Sequence, residues 1–156
     1  MSRKYLIIMV LAAIAIVNAG YLSYKAYGYH FAGQPELSTV CDAFGAGSCS
    51  DVLRDPLSLV FGIPFPFIAL VVYPILFCIA WYGRCHLTTT PAKVLAVLSA
   101  LGMGFNGFII YREIFFIHQY CLLCLMCTAI IISIFGISLS VLVSRQEDSQ
   151  AVSRNE

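Results

Sequence analysis

Hydrophobic positions in this sequence form long, uninterrupted runs. A membrane-spanning helix needs about 20 mostly apolar residues, and four runs without Asp, Glu, Lys or Arg have about that length: Tyr5–Tyr24, Leu57–Gly83, Val94–Tyr111 and Ile114–Ser144. Helices at about residues 5–24, 62–82, 94–118 and 121–143 would form an all-α, integral membrane four-helix bundle over residues 1–144. The polar residues 145–156 are predicted to be a disordered cytoplasmic tail.

The composition supports lipid as the solvent, because 60% of the residues are hydrophobic and only 11% are charged. The first run could instead be a signal peptide, since Val17-Asn18-Ala19 resembles a cleavage site. Its apolar stretch is, however, longer than the roughly 7–15 residues of a usual signal-peptide core. The net charge of +1 and the absence of a Lys/Arg run give no indication of nucleic acid binding.

The basic residues predict the orientation in the membrane, because cytoplasmic loops carry an excess of Lys and Arg. With the N-terminus inside, six basic residues are cytoplasmic: Arg3, Lys4, Arg84, Lys93, Arg145 and Arg154. Three are outside: Lys25, Arg54 and Arg112. Both termini are therefore predicted to be cytoplasmic, and the polar segment before the second helix is predicted to be extracytoplasmic.

Two pairs of cysteines are predicted to lie on the outer side. Cys41 and Cys49 flank a glycine-containing part of the outer loop, and Cys121 and Cys124 form a Cys-x-x-Cys motif where the fourth helix begins. The helix dipole and the unpaired N–H groups at a helix N-terminus stabilise a thiolate, which is the attacking species. A rise of about 1.5 Å per residue puts Cys124 about 4.5 Å deeper than Cys121. This layout suits relayed thiol–disulfide exchange, with all four cysteines catalytic.

Other interpretations of the cysteines remain open. Two structural disulfides would use the same four residues, whereas a zinc site has no well-placed His or carboxylate to support it, so no metal is expected. Cys78 and Cys85 lie towards the cytoplasm and are expected to be structural. Cys127 is either a packing residue or an accessory thiol.

Residues 102–107 match the G-x-G-x-x-G pattern of dinucleotide-binding sites. That site requires a preceding β-strand, whereas these glycines lie inside an apolar run of membrane-spanning length. Close helix packing by small residues explains them better.

Four motifs in sequence resemble the vitamin K epoxide reductase family over roughly residues 5–143. They are Ala19-Gly20-Tyr21-Leu22-Ser23-Tyr24, then Cys41 with Cys49-Ser50-Asp51-Val52-Leu53, then Phe61-Gly62-Ile63-Pro64, and finally Tyr111-Arg112-Glu113-Ile114 through His118 to Cys121-Leu122-Leu123-Cys124. The loop pair precedes the Cys-x-x-Cys motif, whereas the order is reversed in the similar DsbB-type quinone oxidoreductases.

The resemblance implies a membrane thiol:quinone oxidoreductase that supports disulfide bond formation. In this family pattern Cys41 exchanges with a thioredoxin-like protein, Cys49 relays to Cys121, and Cys124 reduces a quinone. The partner is expected in trans, and the acceptor is ubiquinone, menaquinone or a vitamin K-type naphthoquinone. The expected location is a bacterial inner membrane, with both termini inside.

Four residues are carried over as candidates for quinone binding. Phe61 and Phe65 match aromatic positions of the family site, although lipid or bundle packing would also explain them. Ser58 and Thr128 stand where the animal enzymes have an asparagine and a tyrosine, so plain quinone reduction is better supported than epoxide reduction. The alternatives are a vitamin K epoxide or quinone reductase of an endoplasmic reticulum, or a non-catalytic membrane scaffold with structural disulfides.

Overall fold

Helices make up almost all of the structure, a computed structural model that describes residues 2–33, 39–40, 49–56, 59–60, 62–86, 88–118 and 121–154. The α-helices among these residues are α1 (Ser2–His30), α2 (Cys49–Arg54), α3 (Phe65–His86), α4 (Thr90–Arg112) and α5 (Leu122–Arg154). A π-helical segment, Glu113–Ile117, follows α4 directly. Two short strands, β1 (Leu59–Val60) and β2 (Ile63–Pro64), pair in antiparallel fashion before α3.

Four of these helical stretches are long and apolar enough to cross a membrane: Arg3–His30, Phe65–His86, Thr90–Phe116 and Leu122–Ser144. They confirm the prediction of an all-α membrane four-helix bundle. Prolines stand at the starts of two of them, where the missing N–H removes no helical hydrogen bond. Pro66 is in the first turn of α3, and Pro91 is in the first turn of α4.

The four long helices alternate in direction, as their contacts at the ends of the bundle show. At one end, Lys4 Nζ donates to Ser140 O at 2.9 Å, and Tyr5 Oη donates to Thr88 O at 3.3 Å. At the other end, His30 Nε2 lies 2.9 Å from Leu53 O, so that α1 meets α2. We call the first the anchoring end and the second the cysteine end. The two cysteine-bearing segments therefore lie at the same end of the bundle.

The anchoring end is closely packed around a glycine. A Cβ atom at Gly83 would lie 2.6 Å from Tyr5 Cε1 and 3.0 Å from Pro91 Cβ. Tyr5 is completely buried, so its ring has no room to move away. Glycine at this position allows α1, α3 and the start of α4 to meet.

The last helix continues where the sequence predicts disorder, because α5 extends to Arg154. No proline or glycine lies between Gly136 and Arg154 to end it. Gln146 and Glu147 are exposed, so this part of the helix needs no packed core. These polar residues offer no hydrophobic face for packing. They can still be helical, because extending an existing helix requires no new nucleation step.

Close packing explains only part of the glycine-rich stretch in α4. A Cβ atom at Gly102 would lie 3.2 Å from Ile131 Cγ1 on α5, which is a tight contact. No atom of the described residues lies within 4 Å of a Cβ built at Gly104 or Gly107. The packing explanation therefore holds for Gly102, and no described residue supports it at the other two glycines.

Candidate active site

The cysteine end brings together a cysteine of the loop and the Cys-x-x-Cys motif. Cys49 is the first residue of α2, and this short helix is held in place by the completely buried side chains of Val52 and Leu53. Cys49 and Cys121 are themselves completely buried. The Cys121 thiol donates to Cys49 Sγ at an S···S distance of 2.7 Å. This contact joins residues separated by 72 positions in the sequence.

The two sulfur atoms differ in chemical state. Cys49 is disulfide-bonded, whereas Cys121 and Cys124 are free thiols. The 2.7 Å separation is longer than an S–S bond of about 2.05 Å. A free thiol therefore lies against one sulfur of a disulfide, as thiol–disulfide exchange requires. Cys41 lies outside the described residues.

Cys121 occupies the N-cap position of α5. Its carbonyl oxygen accepts hydrogen bonds from Cys124 N and Leu125 N, both at 3.1 Å. Cys124 therefore lies in the first helical turn, with its thiol beside that of Cys121. The motif spacing places one sulfur at the helix start and the next a turn deeper, as a three-residue step along a helix requires.

A cavity of about 300 Å³ lies inside the bundle beside Cys124. All four long helices contribute to its lining, which includes Leu22, Phe65 and Phe105. The lining is mainly apolar, and its polar side chains come from Tyr73, Asn106, Cys124, Cys127 and Thr128. An apolar cavity with a few polar groups is typical of a small-molecule site. Here it adjoins the inner cysteine of the motif.

Two of the four predicted quinone-binding residues line this cavity, namely Phe65 and Thr128. Thr128 Oγ1 donates to Cys124 O at 3.0 Å, so its hydroxyl is also tied to its own helix. Ser58 and Phe61 lie outside the described residues.

Several polar residues near the cysteines are not among those predicted from the sequence. Asn18 Nδ2 donates to Leu123 O at 2.9 Å and to Cys127 Sγ at 3.1 Å, which ties α1 to the first turns of α5. Tyr73 Oη donates to Cys127 O at 3.1 Å from α3. Asn18 and Asn106 interrupt long apolar runs, and polar side chains within a span often mark function. That signal was available in the sequence.

Glu113 is another residue near the cysteines that was not predicted from the sequence to belong to the site. It is the first residue of the π-helical segment and is 2% exposed. Its Oε2 atom accepts a hydrogen bond from Cys121 N at 3.5 Å. A charged residue next to Arg112 at the end of an apolar run is expected to be solvated at the membrane surface, whereas this carboxyl group is buried beside the Cys-x-x-Cys motif.

The remaining cysteines occupy different surroundings. Cys78 and Cys85 are free and exposed on α3, whereas Cys127 is buried against Asn18 and lines the cavity. Cys127 is thus held in the packing at the site, one turn beyond Cys124. Within the described part of the chain, no group of three or more His, Cys, Asp or Glu side chains is arranged to hold a metal ion.

Four helices able to span a membrane, with free thiols beside an internal cavity, fit the general class of membrane redox proteins. The sequence model of the vitamin K epoxide reductase family matches residues 6–139. The chain belongs to this family, whose members are oxidoreductases. Comparison with curated proteins finds no match to the chain.

Proposed function

We propose that this protein is a thiol:quinone oxidoreductase that reoxidises an extracytoplasmic thioredoxin-like protein and reduces a quinone. The observation that carries the proposal is the 2.7 Å contact between the free Cys121 thiol and disulfide-bonded Cys49. Two purely structural disulfides would leave Cys121 and Cys124 bonded, whereas both are free. The arrangement suits a relay better than a scaffold.

The outer half of the proposed reaction begins at the loop pair. The partner's thiolate attacks a Cys41–Cys49 disulfide, and its second thiol completes the partner's own disulfide, which leaves both loop cysteines reduced. The Cys49 side chain is completely buried, so Cys41 is the proposed point of attack. Cys49 leaves as a thiolate, and the proton of the partner's attacking thiol goes to water.

The inner half transfers the same two electrons to the Cys-x-x-Cys pair. The Cys49 thiolate attacks Sγ of Cys121 in an oxidised Cys121–Cys124 pair, forming a mixed disulfide and releasing Cys124. Cys41 then attacks Cys49, which restores the loop disulfide and frees Cys121. After this step Cys49 is again disulfide-bonded, and Cys121 and Cys124 are both thiols. These are the chemical states found in the structure.

The cavity fits the proposed electron acceptor. Its volume of about 300 Å³ is at the lower end of small-molecule sites, roughly 300–1,000 Å³. Phe65 and Phe105 offer apolar faces to a quinone ring, and the Asn106 amide carries N–H donors for a carbonyl oxygen. A bound quinone would accept two electrons from the cysteine pair and leave as a hydroquinone.

The proposed location is a bacterial inner membrane, with the cysteine end outside and both termini inside. The distribution of basic residues supports this orientation. Thr128 on the cavity wall differs from the tyrosine of the animal enzymes at the matching position, so we propose ubiquinone or menaquinone as the acceptor instead of an epoxide.

The test measures quinone reduction by purified protein in lipid nanodiscs, with dithiothreitol as the reductant and a short-chain ubiquinone or menaquinone analogue as the acceptor. Wild-type protein should reduce the quinone, and Cys124→Ser should abolish the reaction while its loop disulfide still exchanges with dithiothreitol. Cys85→Ser, at the anchoring end, is the matched control and should keep the wild-type rate. Quinone reduction by Cys124→Ser at the wild-type rate would refute the assigned role and direct attention to Cys127.

A further inference from the structure

One buried acidic side chain at the cysteine end has no place in the relay described above. Glu113 is 2% exposed, and its Oε1 atom is buried without a hydrogen bond to any described residue. Carboxyl groups inside membrane spans are costly and usually functional, and a buried polar atom without a partner calls for an explanation.

A structural role accounts for only one of the two oxygen atoms of this carboxyl group. Oε2 accepts the hydrogen bond from Cys121 N, which positions the N-cap residue of α5. The Cys124 thiol lies beside the same carboxyl group. Since an amide oxygen would accept the Cys121 N–H equally well, the backbone contact does not require an acid at this position.

The local backbone also favours a specific role. Glu113 opens the π-helical segment, and short π-helices occur frequently at functional sites. The segment ends at His118, whose φ of 56° is in the left-handed region that non-glycine residues rarely adopt. Together these features end α4 and turn the chain so that Glu113 faces the start of α5.

We propose that Glu113 accepts the proton of the Cys124 thiol and so generates the thiolate that reduces the quinone. This inference rests on the proposed function for its second half, but the proton transfer itself concerns only Glu113 and Cys124. In this step the S–H bond of Cys124 breaks and an O–H bond forms on Glu113.

The proton then cycles between these two groups. When the electrons leave, Cys121 and Cys124 form a disulfide, and Glu113 keeps the proton. The hydroquinone takes one proton from the Cys121 thiol and one from water, which replaces the proton that the partner's attacking thiol gave to water. When Cys49 next attacks Cys121, Cys124 leaves as a thiolate and takes its proton back from Glu113. Protons and electrons therefore balance over the cycle, and Glu113 needs no contact with the cavity, whose lining ends at Ile109 and Ile110 on α4.

The primary test is independent of any quinone and measures alkylation of the reduced protein by N-ethylmaleimide, resolved cysteine by cysteine by mass spectrometry. Glu113→Gln keeps the shape and the acceptor for Cys121 N but removes the base. It should slow alkylation of Cys124 by about 100-fold, the lower range of general base effects. Cys85, free and exposed on the same molecule, should react at an unchanged rate.

Two further variants separate proton transfer from folding. Glu113→Asp keeps an acid and should retain Cys124 alkylation within about tenfold of wild type, a smaller loss than the 10²-fold expected without a base. Ser138→Ala removes another buried polar side chain, whose hydroxyl donates to Ile134 O on its own helix, and should leave Cys124 unaffected. Alkylation of Cys124 in Glu113→Gln at the wild-type rate would overturn the inference.

Quinone reduction by the same variants distinguishes this inference from the proposed function. If wild-type protein reduces the quinone, Glu113→Gln should do so about 100-fold more slowly. If no protein reduces any quinone but Glu113→Gln still slows Cys124 alkylation, the proposed function fails and the role of Glu113 as the base stands. A fall in quinone reduction with unchanged alkylation would refute the role of Glu113 as the base.

Discussion

The polar side chains at the two ends of the bundle have different main partners. At the anchoring end, Lys4 and Tyr5 donate to the backbone carbonyl oxygens of Ser140 and Thr88. The absence of a side chain at Gly83 leaves space for the Tyr5 ring between the helices. At the cysteine end, reactive side chains meet one another: Cys121 meets Cys49, and Glu113 lies beside Cys124. Contacts to backbone hold the helices in one arrangement, whereas contacts between side chains can be exchanged.

The buried clusters follow the same division. One cluster around Tyr5, Leu76 and Leu95 extends along the bundle and consists mainly of aliphatic side chains. The other contains Cys49, Cys121 and Cys124 together with α2 side chains. Cys49, Cys121 and Cys124 thus lie outside the cluster that contains Tyr5, so a change at the anchoring end should leave these three cysteines intact.

The largest expected effect is a trapped intermediate at the cysteine end. Cys124→Ala should accumulate a disulfide between Cys49 and Cys121, which forms when the Cys121 thiolate attacks Cys49 in the loop disulfide and releases Cys41. Cys124, which could attack Cys121 and break this bond, is absent, and the two sulfurs already lie 2.7 Å apart. The species should appear as a mobility shift on non-reducing gels and disappear with reductant. A bond between Cys41 and Cys121 instead would exchange the roles of the loop cysteines, and no loop-to-helix bond under oxidising conditions would contradict the relay.

Labelling in intact cells tests whether the two ends lie on opposite sides of the membrane. After reduction of the loop disulfide, a membrane-impermeant maleimide should label the loop cysteines, Cys41 before completely buried Cys49, and leave Cys85 unlabelled. Cys85 is exposed in the folded protein, so only the membrane can protect it. Permeabilised cells should show full labelling of Cys85, and labelling in intact cells would reverse the proposed orientation.

The smallest expected effect is on stability at the anchoring end. Gly83→Ala should lower the free energy of unfolding by about 1–3 kcal/mol, as overpacking does, because the new methyl group would meet the buried Tyr5 ring. Gly104→Ala is the matched control, since nothing described lies within 4 Å of its Cβ position. Thermal unfolding in nanodiscs measures both. Quinone reduction by folded Gly83→Ala should stay at the wild-type rate, and its loss would show that the two ends are coupled.

The four membrane-spanning helices could be predicted from the sequence because a long apolar run is what a helix surrounded by lipid requires. The contact between Cys49 and Cys121 could not be derived in the same way, since it depends on how α2 packs against α1 and the start of α5. The resemblance to a family supplied the expectation that Cys49 relays to Cys121.

Glu113 and the end of α5 show two different limits of prediction. A charged residue beside another charged residue at the end of an apolar run resembles a solvated interface, and only the turn after α4 buries Glu113. The polar residues after Ser144 resemble a disordered tail because their composition shows that they cannot form a hydrophobic core. Composition does not show whether the preceding helix continues through them. In both cases neighbouring structure decides what the local sequence leaves open.

The N-cap position of Cys121 has a consequence for the speed of electron transfer. Its carbonyl oxygen is held by Cys124 N and Leu125 N, and its own N–H is held by Glu113. Its backbone is therefore fixed on both sides, and rotation about the Cα–Cβ bond is the motion left to carry the sulfur from Cys49 to Cys124. Staggered rotamers lie about 120° apart, and side-chain rotation is generally faster than the microsecond-to-millisecond movement of helices and domains. Electron transfer from Cys49 through Cys121 to Cys124 should then be fast. The turnover time should be set by the binding of the protein partner and the exchange of the quinone.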